Sequence, residues 1–261
     1  MKMVINMIDF HSHIIFNVDD GSKSLDDSIQ MITEAEKAGF TDIILTPHYM
    51  EGYYEVSKDE ISDRIQVINE AILQNNIKIK LHQGNEIYIT DNMEQLLKNK
   101  IISTANNSKY ILFETPMRDE PINLNQIVYN LLELKKVPII AHPERYLYIQ
   151  ENPNLVYELI EAGVLFQSNF GSLIGLYGKS AQKTLNLLLK HNMIHFMGSD
   201  VHRPNSIYPK INESLKQLKK IVSEYKVNEI TYENANKVLN NQDIEIEEPT
   251  KIQKTIFTKF K

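Results

Sequence analysis

The segment Met7-Ile-Asp-Phe-His-Ser-His13 ends an apolar run with two imidazoles spaced i, i+2. On a β-strand that spacing sends both rings to one face. If the run from Met3 to Phe10 is a first strand, His11 and His13 emerge at its carboxyl end, where α/β proteins place their chemistry. Asp9 shares their parity and is expected to orient one imidazole from behind. A His-x-His pair alone is weak evidence for a metal, so the weight falls on what the rest of the chain delivers beside it.

The same ending recurs along the chain. Asp20 sits in the turn Asp19-Asp20-Gly21, and Thr46-Pro47-His48 stops one short apolar run. Gly84-Asn85-Glu86, Tyr110-Ile-Leu-Phe-Glu114, Val137-Pro-Ile-Ile-Ala-His142 and Gly198-Ser-Asp200-Val-His202 stop others. Each residue has a bland reading as a turn, a cap or an ordinary ion pair. Together the nine imidazoles and carboxylates are too many for one ion, which takes four to six ligands. They imply two or three divalent cations sharing bridging carboxylates and water. Without cations, so many carboxylates in one pocket would repel and be poorly solvated. His82, His191 and His195 lack this context and read as structural.

Such a site needs a scaffold that brings many strand ends together. The sequence alternates short apolar strands with helical stretches: a helix over 25–38 closed by Gly39, then helices near 58–75, 92–98, 123–136, 154–162 and 180–191. Ser24 and Asp27 resemble a capping box. Seven strands separated by helices predict a parallel sheet with crossover helices, and polar groups at nearly every strand end favour a β/α barrel over an open doubly wound sheet. A helix over 209–225 covers the outside, with another over 230–239. Residues 1–261 are expected to form a single domain, with 240–261 a poorly ordered tail.

Composition narrows the chemistry. With no cysteine there can be no Cys nucleophile, disulfide or thiolate zinc site, so metals must be held by His, Asp, Glu or water. A formal charge of -6 argues against nucleic acid as partner while leaving room for a local basic pocket. No run is long and apolar enough for a signal peptide or a spanning helix, which predicts a cytoplasmic protein without membrane insertion.

Read in order, these motifs resemble those of the PHP (polymerase and histidinol phosphatase) superfamily, and within it the bacterial protein-tyrosine phosphatases of the CpsB/YwqE type, which control capsule and exopolysaccharide synthesis. The resemblance covers nearly the whole chain. It implies a distorted (β/α)7 TIM-like barrel with a three-metal site, manganese first and iron or zinc as alternatives. Carried over by motif, His11, His13, Glu86 and Asp200 would hold one metal. Glu86 would bridge to a second held by Glu114 and His142, and Asp20, His48 and His202 would hold a third. Arg145, in His142-Pro-Glu-Arg145, matches the family's substrate-phosphate arginine, and Arg145, Asp200 and His48 would be the catalytic residues. A second phosphate-binding arginine is expected after Asp200-x-His202, where Arg203 comes early and Lys210 is of the wrong type.

The implied reaction is hydrolysis of phosphotyrosine in a protein, the expected partner being the tail of a cognate tyrosine kinase. Metal-activated water would attack phosphorus in line, without a phosphoenzyme. Tyr49, Tyr53 and Tyr54 could line the rim, and Asn169 could contact phosphate. The alternatives are a phosphoesterase acting on a small metabolite such as histidinol phosphate, and a metal-binding regulatory protein without turnover.

Overall fold

The computed structural model describes residues 6–253. Among these residues ten strands form two sheets: β1 (Met7–Asp9), β2 (Phe40–Leu45) and β5 (Lys80–Gln83) in one, and β10 (Phe196–Gly198), β9 (Leu165–Asn169), β8 (Val137–Ala141), β7 (Tyr110–Glu114), β6 (Glu86–Tyr88), β3 (His48–Met50) and β4 (Tyr54–Glu55) in the other, each in the order in which neighbours pair. All pairings are parallel except the short β3–β4 hairpin.

Two breaks explain the two sheets. Between β2 and β3 lies Thr46-Pro47, whose proline has no N–H for a ladder. Between β5 and β6 lies Gly84-Asn85, where a Cβ on Gly84 would stand 3.2 Å from Ile44. Counting β2–β3 and β5–β6 as continuous staves gives seven, as the sequence predicts. The ring closes where Ser12 bridges Val201 and Asp200 N donates to His11 O at 2.8 Å. A distorted seven-stave β/α barrel results.

Strand alternation divides the core. Ile8, Phe10, Ile44, Leu112, Ile139, Leu165 and Phe196 form one buried cluster, whereas Met7, Ile43, Ile111, Ile140 and Phe166 join the larger layer under the helices. Ala235 and Val238, from the helix Asn234–Leu239, belong to the first cluster. That helix packs against β1 and the turn Ala105–Asn107, where Asn106 Nδ2 donates to Leu239 O. The helix Leu25–Ala38 starts and stops where expected, with Gly39 left-handed, although only Ser24 Oγ completes its half of the capping box.

Three expectations need correction. The first strand is only Met7–Asp9, and residues 3–5 lie outside the described part. The helix expected over 209–225 is two, Ile211–Ile221 and Glu224–Asn228, because Ser223 starts a new one by capping Lys226 N. The tail is not loose over 240–253. Asn241 accepts from Lys109 N, Gln242 O from Tyr110 OH, and Thr250 N donates to His191 O, while Asn154 pairs with Ile252. These hydrogen bonds to the body of the barrel, each satisfying a backbone group, tie the tail down despite its polar composition. Residues 254–261 lie outside the described part.

Candidate metal centre

All nine predicted groups meet at the carboxyl ends of the staves. His11 and His13 follow β1, Asp20 lies in the next loop, and His48 and Glu86 open β3 and β6. Glu114 closes β7, His142 follows β8, and Asp200 and His202 follow β10. Their ligating atoms fall into four overlapping groups within 4.8 Å: His13, Asp20, His48 and His202; His11, Glu86 and His142; His11, His13 and Asp200; and His48, Glu86 and Glu114. His142 and Asp200 adopt positive φ, 34° and 52°, a strained backbone for non-glycine residues that recurs at functional sites. Gly198 is required here, since a Cβ would lie 2.7 Å from His11 Cβ.

The hydrogen bonds behind the candidate ligands fix which nitrogen of two imidazoles donates. The Asp200 carboxylate, held well below the usual range against the opposing effect of burial by His11, His202, His142 and Arg145, can only accept. Asn169 therefore turns its amide NH2 to Asp200 Oδ2 at 2.8 Å. Its Oδ1 accepts from Gln167 Nε2 at 3.0 Å, which leaves Gln167 Oε1 to accept from His11 Nδ1–H at 2.8 Å. On the other side Asp19 accepts from Gly21 N, from His48 N and from His13 Nδ1–H, the last at 2.8 Å. Both imidazoles thus carry a proton on Nδ1, which leaves Nε2 as the nitrogen free for a cation or, without one, for a second proton.

Those two Nε2 atoms face each other at 3.0 Å. Glu86 Oε2 stands 3.1 Å from His11 Nε2, 3.3 Å from His13 Nε2 and 3.1 Å from His48 Nδ1, yet it has no hydrogen bond of acceptable geometry among the described residues. Ring nitrogens converging on a buried carboxylate oxygen without a hydrogen bond repel one another unless a cation or added protons lie between them. The donors, imidazole and carboxylate only, suit manganese, iron or zinc. Without a cation, protons do part of this work. Burial lowers His11 and His13, but Glu86 with Asp200 or Asp19 holds both above the ordinary imidazole value. Burial, then His13, depresses His48 to about 4. Burial, then Glu86, pushes Glu114 up to about 9.

Arg145 lies on the turn Pro143–Arg145 after His142 and donates to Asp200 Oδ2 at 2.7 Å, with its guanidinium 4.5 Å over the Tyr177 ring. Arg203 has one terminal nitrogen engaged with the carbonyl oxygens of Asp20, Gly21 and His202. Tyr54 stacks on His48, whereas Tyr49 is buried in the core and Tyr53 is exposed.

Asp9 does not orient an imidazole. β1 ends at Asp9, so alternation stops before His11, and the Asp9 carboxylate accepts from Ser199 N and Tyr208 OH. The positioning falls instead to Gln167 and Asp19, to which sequence reasoning gave no role. Glu144 is a third such residue: buried, it accepts from Ser168 Oγ, Asn169 N and Ser172 Oγ. A signal was available, because Gln-Ser-Asn interrupts a strand whose five residues are all buried, where a parallel sheet ordinarily runs apolar. His82, His191 and His195 lie apart, paired with Asp42, Thr250 and Phe166 N.

A family model described as capsular polysaccharide synthesis, CpsB/CapC, matches residues 7–240. The chain belongs to the CpsB/CapC family. Among its relatives, CapC of Staphylococcus aureus is 36% identical over 249 residues, covering 94% of this chain and 95% of that protein. The tyrosine-protein phosphatase YwqE of Bacillus subtilis is 35% identical over 251 residues, covering 95% and 97%. One of the crystal structures of YwqE from Bacillus subtilis and CpsB from Streptococcus pneumoniae, described as unique metal-dependent tyrosine phosphatases, matches with a TM-score of 0.89. It is 34% identical, with 95% of this chain and 100% of that one covered. A histidinol phosphate phosphatase from Lactococcus lactis shares the fold at a TM-score of 0.55 and 16% identity, covering 82% of this chain and 93% of that one. The CpsB/CapC match thus spans every residue of the cluster.

Proposed function

We propose that this CpsB/CapC protein is a metal-dependent protein-tyrosine phosphatase of capsule or exopolysaccharide synthesis. The observation that carries the reading is the convergence of His11 Nε2 and His13 Nε2, 3.0 Å apart, on the unpartnered Glu86 Oε2, a donor set suited to cations. The phosphotyrosine specificity is supported by the names of relatives at 30–36% identity. We assign His11, His13, Glu86 and Asp200 to one cation, Glu86, Glu114 and His142 to a second, and Asp20, His48 and His202 to a third. Manganese is our first choice of metal, with iron or zinc behind it. Divalent cations held there supply positive charge for the phosphoryl oxygens and lower the pKa of water from 15.7 to about 7.

The chain's own groups do the rest. Arg145, braced between Asp200 and Tyr177, contacts the phosphoryl group as charge builds in the transition state. Asp200 ties that arginine to the ligand cluster, and His48 forms its half-buried rim. A tyrosyl leaving group, with a pKa of about 10, departs with less need of a proton than a seryl alkoxide. The partner we assign is the phosphotyrosine tail of a cognate capsule-type kinase, met in the cytoplasm. No helix among the described residues is long and apolar enough to cross a membrane.

The test compares kcat/KM for a phosphotyrosyl peptide and for histidinol phosphate on manganese-loaded protein, before and after chelation. Strong preference for the peptide, lost with chelator and restored by metal, is expected. Preference for histidinol phosphate refutes the substrate, and hydrolysis indifferent to chelation refutes the metal.

A further inference from the structure

A cavity of about 270 Å³ opens beside Asp200 and His202. Its apolar wall is Leu176, Tyr177 and Ile207, and its rim carries Arg203 and Lys210. Ligand cavities commonly span ~300–1,000 Å³, so this one suits a single side chain better than a large cofactor. Tyr177 connects it to the site already described, since the same ring lies under the Arg145 guanidinium.

We propose that this cavity is the leaving-group subsite for a phosphotyrosyl segment: the apolar wall takes the ring, and Lys210 with Arg203 takes an acidic side chain next to the phosphotyrosine. The proposal rests on the phosphatase reading above and adds to it a sequence preference. Geometry sets the direction, because a phosphoryl group between Arg145 and the ligand cluster has Asp200 and Tyr177 as neighbours, and both border the cavity. Charge sets the preference. Neither Lys210 nor Arg203 has an ion-pair partner among the described residues: Arg203 bonds only carbonyl oxygens, and the nearby Glu34 carboxylate accepts from Asn205 N. On a protein of net charge -6, an exposed cationic rim at the mouth of the site is a local reversal of sign that draws acidic groups.

The experiment uses metal-loaded full-length protein and two phosphotyrosyl peptides that differ only in having glutamate or glutamine beside the phosphotyrosine. The glutamate peptide is expected to have the higher kcat/KM by roughly threefold, the scale of an exposed charge contact, and the ratio should shrink towards one as salt is raised. Lys210→Glu should invert the ratio. Because both peptides meet the same enzyme preparation, a partly misfolded variant does not distort it. Leu176→Ser, on the exposed end of the apolar wall, should raise KM for both peptides by a similar factor.

Equal rates for the two peptides, a ratio unmoved by Lys210→Glu, or wild-type KM in Leu176→Ser would each overturn the subsite while leaving the phosphatase reading intact. Failure to hydrolyse either peptide while turning over histidinol phosphate would instead overturn the reading beneath it.

Discussion

Replacing Asp19 with asparagine removes one negative charge and almost no volume, from a residue that touches no cation in the assignment above. Its carboxylate accepts from His13 Nδ1–H and His48 N–H through Oδ2, at 2.8 and 3.0 Å, and from Gly21 N–H through Oδ1 at 2.8 Å. An amide cannot accept on both sides. With its oxygen towards Gly21, the NH2 opposes His48 N–H and drives His13 to the tautomer whose proton sits on Nε2, which abolishes that lone pair. With its oxygen towards His13, the NH2 opposes Gly21 N–H and leaves a buried donor unsatisfied, at about 1–3 kcal/mol. Losing the group behind a metal-bound histidine typically weakens affinity or activity by about 10- to 100-fold, equivalent to about 1.4–2.7 kcal/mol. Calorimetric titration of metal-free Asp19→Asn with manganese, alongside kcat/KM for an aryl phosphate at saturating metal, should show a loss of that size. Wild-type affinity together with wild-type turnover would mean that Asp19 does not set the His13 tautomer, and the lone-pair argument for the centre would fail on that side.

Other consequences are more quickly stated. Burial and Glu86 raise Glu114 to about 9, so near neutral pH it carries a proton that an incoming cation must displace. Manganese titrations in buffers of different ionisation enthalpy should therefore reveal proton release, and none would contradict the role of Glu114 as a ligand. Arg145→Ala should lower kcat/KM by about 10- to 100-fold, the scale of one charged hydrogen bond, while elemental analysis still finds metal, because Asn169 continues to hold Asp200. Burial depresses His195 to about 3, so below its unfolded value of about 6.5 the unfolded chain binds a proton that the folded one does not. Folding stability then falls by up to about 1.4 kcal/mol per pH unit between these values and is regained as pH rises. His195→Asn, which keeps an acceptor for Phe166 N, should flatten denaturant midpoints measured across that window.

The sequence discloses the candidate ligands more fully than the strands that carry them. A histidine or carboxylate at the end of an apolar run is visible because the run and the polar stop can be read locally, which is why His11, His48, His142 and Asp200 can be named from their motifs. Where a stave breaks is less visible. Pro47 announces the end of β2, but nothing near Gly84 indicates that pairing changes sheets there, since the reason is the approach of Ile44, remote in sequence. The contacts of the tail over 240–253 are illegible for a related cause. Its polar composition says nothing of the backbone of Lys109 and His191 or the side-chain amide of Asn154, which accept from or donate to it from distant parts of the chain.

Tautomer control is harder still to read, and it decides which nitrogen each histidine offers to the cluster. Five imidazoles at one rim could stabilise the fold by donating to Glu86 and Asp200 as protonated cations, an arrangement that needs no metal. Residues with no metal-ligand signature decide which nitrogen is offered in either case, since they hold a proton on Nδ1 and turn Nε2 towards Glu86. Asp200 constrains Asn169, Asn169 constrains Gln167, and Gln167 takes the His11 Nδ1 proton, so the direction of every bond in the relay follows from one carboxylate that can only accept. Replacing Gln167 with glutamate would turn a donor to Asn169 into a second acceptor. Replacing it with leucine would free His11 to move its proton onto Nε2. Either change leaves all nine candidate ligands in place, so a large loss of metal affinity from one uncharged side chain would be hard to explain unless the relay sets the lone pair.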